Sequence, residues 1–585
     1  MKPLIFMFFT LGQFLMGNEI SQGPFIRINQ LGYLLDEHKK AIVFSHERVS
    51  EVFRLIDDKN KVAATIRPIK SKQEGWGTFK YYYELDFSQV NIEGTYFIQG
   101  KKSKSRSNIF KIGNDVYKQK PEVLLGFMRQ QRCGYNPYFD MVCHHRDGRS
   151  AYGPIPDGTF VDASGGWHDA GDQLKYLITG SYATAHMLMA YELYPAAFGD
   201  QVNALGQPLP NGIADVLDEA KWGLDWILKL HPESNQLIHQ IADDRDHIGW
   251  KMPDEDSSDY GWGKNSYRVA YFATGEPQGL NKYKSEANGV SNLAGRSAAA
   301  LALAARIWSR DVKDSVFAQN CLAAAKSLYN LGKEKEGFQQ GNSFGAPYRY
   351  SEKTWADDME WGAAELYKST GNSSYLSEAK EYALRANTVS WMPKDSVGHF
   401  ALYDQVDDNF QKTLAAYYIS GLEDNLKRAS KNAYNIGVPF IWCSNNLLTS
   451  LITQGILYEN MTGDKSYHQF LVEQRDWLFG RNPWGTSMFT KMPETGEYPI
   501  DVHTSTWALT KREVAGGLVD GPVYASIFNS LKGLRMDNPD EFEAFQNKFV
   551  VYHDDIGDYS TNEPTMDGTA GSIIMMAHWA NQDKN

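Results

Sequence analysis

Cysteine is scarce in this sequence: four stand among 585 residues, at positions 133, 143, 321 and 443. Four thiols cannot staple a chain of that length, so its stability must come mainly from packed cores. Long basic runs are missing as well, and acidic residues outnumber Lys and Arg by 71 to 59, for a net charge of −12. That balance offers no surface for tracking a phosphate backbone and excludes nucleic acid as a partner. Beyond residue 16 no apolar run is long enough to cross a bilayer, so no membrane span is expected in the mature chain. No short repeat is visible either, and the architecture has to be inferred from the pattern of elements.

Length, apolar residues and aromatics are plentiful. A chain of 585 residues with 42% hydrophobic content exceeds what one core usually supports, and two or more domains are expected. The 15 Trp and 33 Tyr exceed ordinary needs. Flat rings stacking on the apolar faces of sugars are one use for such a surplus, although most must be core. Lys2, the apolar stretch from Leu4 to Met16 and the small Gly17 read as an export signal over residues 1–20, with an uncleaved anchor as the alternative. No Cys follows it closely, so the expected location is secreted or periplasmic without a lipid anchor.

Residues 24–113 alternate short β-branched or aromatic runs, such as 41–44, 52–56, 79–85 and 95–98, with Gly, Asp, Asn and Lys clusters. This texture predicts a small all-β sandwich of immunoglobulin type. After Gly113 the period changes. Ile213, Val216, Leu217, Ala220, Leu224, Ile227 and Leu228 mark one buried helix face, and similar stripes recur near 175–193, 293–308, 317–331, 355–370, 409–421, 444–459 and 571–580. About a dozen helices are expected over 117–585. Long polar loops such as 241–267 and 482–506 separate them, which suits an α/α barrel whose loops build a groove at one end.

Two segments carry the chemistry. Gly165-Gly166-Trp167-His168-Asp169-Ala170-Gly171-Asp172 places two carboxylates in a Gly-rich turn just before a helix. Such a pair can converge on one water and deprotonate it; equally, an Asp before a helix can simply cap it. Far along the chain, Glu563 lies in the polar loop 558–568 ahead of the last helix, where an apolar setting would keep it protonated. Glycoside hydrolysis by inversion needs this combination: one carboxylate to activate water, and one acid on the opposite face of the sugar, roughly 6.5–9.5 Å away.

These segments resemble glycoside hydrolase family 9. The 165–172 motif, Gly480-Arg481-Asn482-Pro483 with His503 downstream, and Asp558-Tyr559 with Asn562-Glu563 look like the family's three signature regions. Ile26-Arg27-Ile28-Asn29-Gln30-Leu31-Gly32-Tyr33 resembles the start of the immunoglobulin-like module that precedes one branch of it. The resemblance implies an (α/α)6 barrel after the β-sandwich and an inverting endo-β-1,4-glucanase with a cellulose-type polysaccharide as substrate, acting as a monomer. An exo-acting enzyme of the same family, or an inactive glucan-binding protein, are the alternatives. By position it implies Asp172 as general base, Asp169 as the second carboxylate on the water and Glu563 as general acid. His503, Trp442, Trp361 and Tyr559 are implied to bind sugar. The chain departs from the pattern at Val502-His503-Thr504-Ser505, where the family often has His-His-Arg, which bears on subsite preference more than on the chemistry.

Cys133, Cys143, His144 and His168 together make a Cys2His2 set, complete for tetrahedral zinc and with no open position for water. Spacing alone leaves a Cys133–Cys143 disulfide equally open, and His145 is an alternative to His144. The resemblance favours a structural zinc, because family members with such a site carry His at the position of His168. Cys321 and Cys443 read as buried thiols. Calcium is frequent in the family, and the acidic loops 243–246 and 357–358 are candidates for it, though no ligands can be assigned.

Overall fold

The computed structural model describes residues 23–73, 77–387 and 397–582. The expected export signal lies outside the described residues. Nine strands come first: β1 (Phe25–Arg27), β2 (Gly32–Tyr33), β3 (Lys40–Ser45), β4 (Phe53–Asp57), β5 (Val62–Ile66), β6 (Ile69–Lys70), β7 (Tyr81–Asp86), β8 (Gly94–Gly100) and β9 (Phe110–Ile112). They form two sheets, ordered β1-β3-β7-β6 and β2-β9-β8-β4-β5, packed as an immunoglobulin-like sandwich.

Strand β3 reads as a continuous apolar run because both its faces are covered. Ala41 and Val43 point into the sandwich core with Phe53, Leu55 and Leu85, whereas Ile42 and Phe44 belong to the large core of the helical domain. A period of two decides which residue faces which core. On the outer face Phe44 and Tyr82 meet Tyr434, and Phe44 also meets Phe545. The N-terminal motif supplies the polar part of the seam. Asn29 donates to Asp476 at 2.8 Å and to the Tyr117 hydroxyl at 2.9 Å, and Gln30 donates to the Gly485 carbonyl at 2.8 Å. Buried Arg475 grips Glu37 with two bonds of 2.8 and 2.9 Å.

Fourteen helices follow among the described residues: α1 (Lys120–Gln130), α2 (Leu177–Leu193), α3 (Asp215–Leu230), α4 (Ser291–Ile307), α5 (Ser315–Glu334), α6 (Ala356–Thr370), α7 (Ser373–Ala386), α8 (Val397–Tyr403), α9 (Asp408–Ala429), α10 (Ser444–Thr462), α11 (His468–Leu478), α12 (Ser505–Thr510), α13 (Ala525–Phe528) and α14 (Met566–Asn581). Helices α2, α4, α6, α8, α10 and α14 touch in that order and close into a ring, with α14 returning to α2. Outside it, α1, α3, α5, α7, α9 and α11 each back onto the inner layer, giving an (α/α)6 barrel.

Composition follows position in the two layers. Helix α4, SNLAGRSAAALALAARI, is buried at every residue but Arg306, and its small residues let neighbours approach on all sides. Outer α7 buries only Ala379, Tyr382 and Ala383. Small sheets decorate the loops: the hairpin β10 (Tyr135–Asn136)–β11 (Met141–Val142), the sheet of β12 (Arg149–Ala151), β13 (Lys175–Tyr176), β14 (Ile238–Ile241) and β15 (Val269–Phe272), and the pairs β16 (Leu518–Val519)–β19 (Pro564–Thr565) and β17 (Val523–Tyr524)–β18 (Val550–Val551). No helix of the described residues is long and apolar enough to cross a membrane.

Candidate active site

The loops that precede inner helices α2, α4, α6, α10 and α14 gather at one end of the barrel around a cleft of about 640 Å³. Asp172, His247, Tyr348, Trp442 and Glu563 line it, one from each loop.

The 165–172 turn owes its path to its glycines. Gly166 has φ +70°, and a Cβ there would lie 2.5 Å from the Trp226 ring. At Gly171 a Cβ would stand 2.2 Å from the His503 carbonyl oxygen and 2.8 Å from Glu563 Oε1. Only glycine lets the two distant loops meet here, and the Gly171 amide donates to Glu563 Oε1 at 2.9 Å. Asp172 therefore follows directly on a residue that touches Glu563.

The two carboxyls experience opposite surroundings. Burial pushes Asp172 up, but His247 (Nε2 to Oδ2, 3.5 Å), the Leu174 amide (2.9 Å) and the Tyr348 hydroxyl (3.1 Å) outweigh it and hold the group below the usual carboxylate range. Glu563 is pushed well above that range by burial first, then by the negative neighbours Asp520 and Asp172. Asp169 is also pushed up by burial and by Asp172, and its oxygens accept from Thr179 (2.7 Å) and Tyr350 (2.6 Å). The helix-capping alternative for the Asp pair is not what the geometry shows: α2 starts at Leu177 with no side-chain cap.

His503 is half-buried beside the cleft, donating from Nδ1 to the Ile556 carbonyl at 2.6 Å, which leaves Nε2 as the acceptor. Its ring lies 4.6 Å from Trp250, and Trp442, 37% exposed, lies 5.8 Å from Tyr559. These aromatics line one wall. Trp361 does not: it is 4% exposed, inside α6, with its ring 6.0 Å from His186 of α2. Its helical position turns it into the interhelical core, away from the loops. His247, Tyr348 and Tyr350 were not singled out from the sequence, because nothing local marks a loop residue whose partner stands 75, 176 or 181 positions away. In the departing segment, Thr504 caps α12 by accepting from the Trp507 amide.

Beside the turn, Cys133, Cys143, His144 and His168 converge until their ligand atoms all lie within 4.8 Å of one another. Cys133 Sγ is 3.7 Å from His144 Nδ1, Cys143 Sγ is 3.8 Å from His168 Nε2, and the two nitrogens are 3.2 Å apart. The thiols are not joined, and His145 is exposed, outside the group. Hairpin β10–β11 brings Cys133 and Cys143 together, and the Cys133 amide bonds to the Gly166 carbonyl at 2.9 Å. Asp256 stands 3.4 Å from His144 Nε2, the outer carboxylate that commonly fixes a metal-binding imidazole. Two thiols and two imidazoles suit a soft divalent ion such as zinc. In the acidic loop named for calcium, Asp243 is taken by Arg245 and Tyr271, and Asp244 by the amides of Phe344, Gly345 and Ala346. A further group, Glu459, His468 and His578, lies at the other end of the barrel, where His468 meets Glu459 at 3.1 Å and Tyr194 meets His578 at 2.8 Å. Cys321 is buried as expected, whereas Cys443 is only partly buried and donates to Asp520 at 3.2 Å.

Residues 117–576 match the sequence pattern of Glycosyl hydrolase family 9, and residues 21–105 that of the Cellulase N-terminal ig-like domain. Similar proteins include Endoglucanase D of Acetivibrio thermocellus, 25% identical over 503 residues, covering 80% of this chain and 72% of that protein. A xyloglucan-specific endo-beta-1,4-glucanase of Bacteroides ovatus is 25% identical over 539 residues, covering 85% of each. Among solved structures, a metagenome-derived glycoside hydrolase family 9 endoglucanase superposes with a TM-score of 0.75 at 24% identity, over 95% of this chain and 99% of the other. A Zn-binding triple mutant of a family 9 endoglucanase superposes with a TM-score of 0.74 at 24% identity, over 94% and 99%.

Proposed function

The chain belongs to glycosyl hydrolase family 9, and from that premise we propose that it is an exported endo-β-1,4-glucanase that hydrolyses its substrate with inversion. One observation carries the mechanism: Asp172 and Glu563 line a single cleft in opposite surroundings, with His247, the Leu174 amide and Tyr348 favouring the charge on Asp172, and burial with acidic neighbours disfavouring it on Glu563. Two carboxyls whose surroundings push them apart in this way are divided into base and acid.

Asp172 takes a proton from a water, whose oxygen attacks the anomeric carbon from the face opposite the leaving group. Glu563 delivers its proton to the departing glycosidic oxygen, so the bond breaks without expelling an alkoxide. Tyr348 and His247 keep Asp172 aimed and favour its charge; Tyr350 and Thr179 hold Asp169, the second carboxylate beside the water, in place. His503, Trp442, Tyr559 and Trp250 offer a polar edge and ring faces to the sugars. A cleft open at the end of the barrel, with a further hollow beyond Trp442 lined by Tyr350 and Glu352, supports binding within a long chain rather than at its tip. The substrate class is a β-1,4-glucan, with xyloglucan as one candidate because of the Bacteroides relative. Zinc, held by Cys133, Cys143, His144 and His168, supplies no chemistry in this reading; it ties the hairpin to the turn that bears the base.

The test is the anomeric form of the first product on a soluble β-1,4-glucan, followed by NMR, for the native protein and for Glu563→Gln and Asp172→Asn. An α-anomer at first, absent in both folded variants, is expected. A β-anomer, or undiminished variants, would overturn the assignment. The time course of product size separates the endo reading from an exo-acting one, since internal cutting lowers viscosity before short sugars accumulate.

A further inference from the structure

Asp520 has no role in the chemistry just described, yet it stands directly opposite the acid. Val519 of β16 faces Pro564 of β19, and the ladder continues one residue further, where the Asp520 amide donates to the Glu563 carbonyl at 2.9 Å. Side chains at opposed positions of an antiparallel pair begin about 4.5–5.5 Å apart, so these two carboxyls are cross-strand neighbours. Asp520 is 1% exposed. Its Oδ1 accepts from the Cys443 thiol at 3.2 Å, a weak donor, and its Oδ2 is buried with no hydrogen-bond partner among the described residues. A carboxylate has room for about four donors, and two neighbouring carboxyls so sparsely supplied with them can hold one negative charge between them far more readily than two.

The groups facing the pair are almost all acidic. Asp172 and Asp169 lie on the Glu563 side, Asp558, Asp567 and Cys443 on the Asp520 side, and the Trp442 indole N–H also donates toward Asp520. His247 reaches Asp172, and His503 turns its proton to the Ile556 carbonyl. Among the described residues, the Gly171 amide is the one hydrogen-bond donor to the Glu563 carboxyl. We propose that Asp520 is a positioning residue for the general acid: its carboxyl, facing Glu563 across the ladder and closed to water, makes a second negative charge there costly and so keeps the acid's proton in place. Burial and then Asp520 push Glu563 upward, in agreement with this arrangement, while Asp520 is itself pushed upward by burial, Asp567 and Asp558. The inference rests on Glu563 being the acid.

It is tested by the pH dependence of kcat/KM for the native protein, Asp520→Asn and Asp520→Ser. Removing the charge lets Glu563 ionise more readily, so the alkaline limb should move to lower pH by about one unit, with the acid limb, set by Asp172, unmoved. The deficit should vanish on a dinitrophenyl β-cellobioside, whose leaving group needs no proton. An alkaline limb that coincides with the native one in folded variants overturns the inference. Aspartate 13Cγ labelling of the native protein needs no variant: a buried carboxyl titrating together with the alkaline limb supports the pairing, and its absence refutes it. If Glu563→Gln retains native turnover, the acid assignment itself fails; if that variant is inactive while the Asp520 variants keep the native alkaline limb, only the present inference does.

Discussion

At the residue scale, the proposed chemistry rests on two carboxyls in contrasting settings, and the expected pH profile follows from their directions. In that proposal the active form has Asp172 ionised and Glu563 protonated. Asp172 is depressed, so activity is lost only as pH falls through that lowered value; Glu563 is raised, so activity is lost as pH rises through it. His247 helps depress Asp172, and His247→Ala should therefore shift the acid limb of kcat/KM to higher pH, read from a pH–rate series on soluble glucan. Glu563→Gln and Asp172→Asn should each lower kcat by about 10²–10⁴-fold with unchanged far-UV circular dichroism. Gly171→Ala tests the close approach of the loops. A methyl 2.2 Å from the His503 carbonyl must push the turn away from Glu563, so kcat should fall while the melting temperature changes little, because the turn lies at the surface of the cleft.

Among the elements, the hairpin β10–β11 and the turn 165–172 are joined by the backbone bond from Cys133 to Gly166, and the Cys2His2 group lies across the same junction. A closed four-ligand zinc contributes folding energy and no reactive position. Chelation, or Cys143→Ser, should lower the melting temperature by several degrees while the protein that remains folded keeps its kcat, as measured by calorimetry beside initial rates. Selective loss of turnover in folded, metal-free protein would refute the structural role. Inner helices contribute differently: buried on every side, they present their N-terminal loops to one end of the ring, and that shared polarity is why residues from five loops meet.

At the scale of the whole molecule, the β-sandwich is packed on the barrel by aromatic contacts and by a buried polar seam. Arg475 and Glu37 are almost inaccessible, and breaking a buried pair by removing one charge typically costs about 3–5 kcal/mol. Glu37→Gln should lower the unfolding midpoint in denaturant accordingly, with turnover per folded molecule unchanged. Removing residues 23–113 should do more, since it exposes the barrel surface around Tyr434 and Phe545 that Phe44 and Tyr82 cover. Aggregation on light scattering is the expected outcome; a soluble, fully active barrel would show that the sandwich is dispensable for stability.

Periodicity and composition alone determined the order of a β-sandwich before a helical domain, because the period of a buried face is local information: helix stripes near 293–308 and 444–459 became α4 and α10 within a few residues. The motif 165–172 was legible because glycines and carboxylates in that spacing are chemically unusual, Glu563 only through the resemblance to the family's signature regions, and His168 with the cysteines suggested a metal group before any geometry was known. What covers a buried face is not local information. Trp442 and Trp361 both stood near helix starts, yet one reaches the cleft and the other the core, since only the closed ring decides which side of a helix meets loops and which meets a neighbouring helix. The same closure brought Tyr348 and Tyr350 to the carboxylates and set Asp520 against Glu563. Those contacts span tens to hundreds of residues, and together with burial they give the carboxyls their opposite pKa shifts.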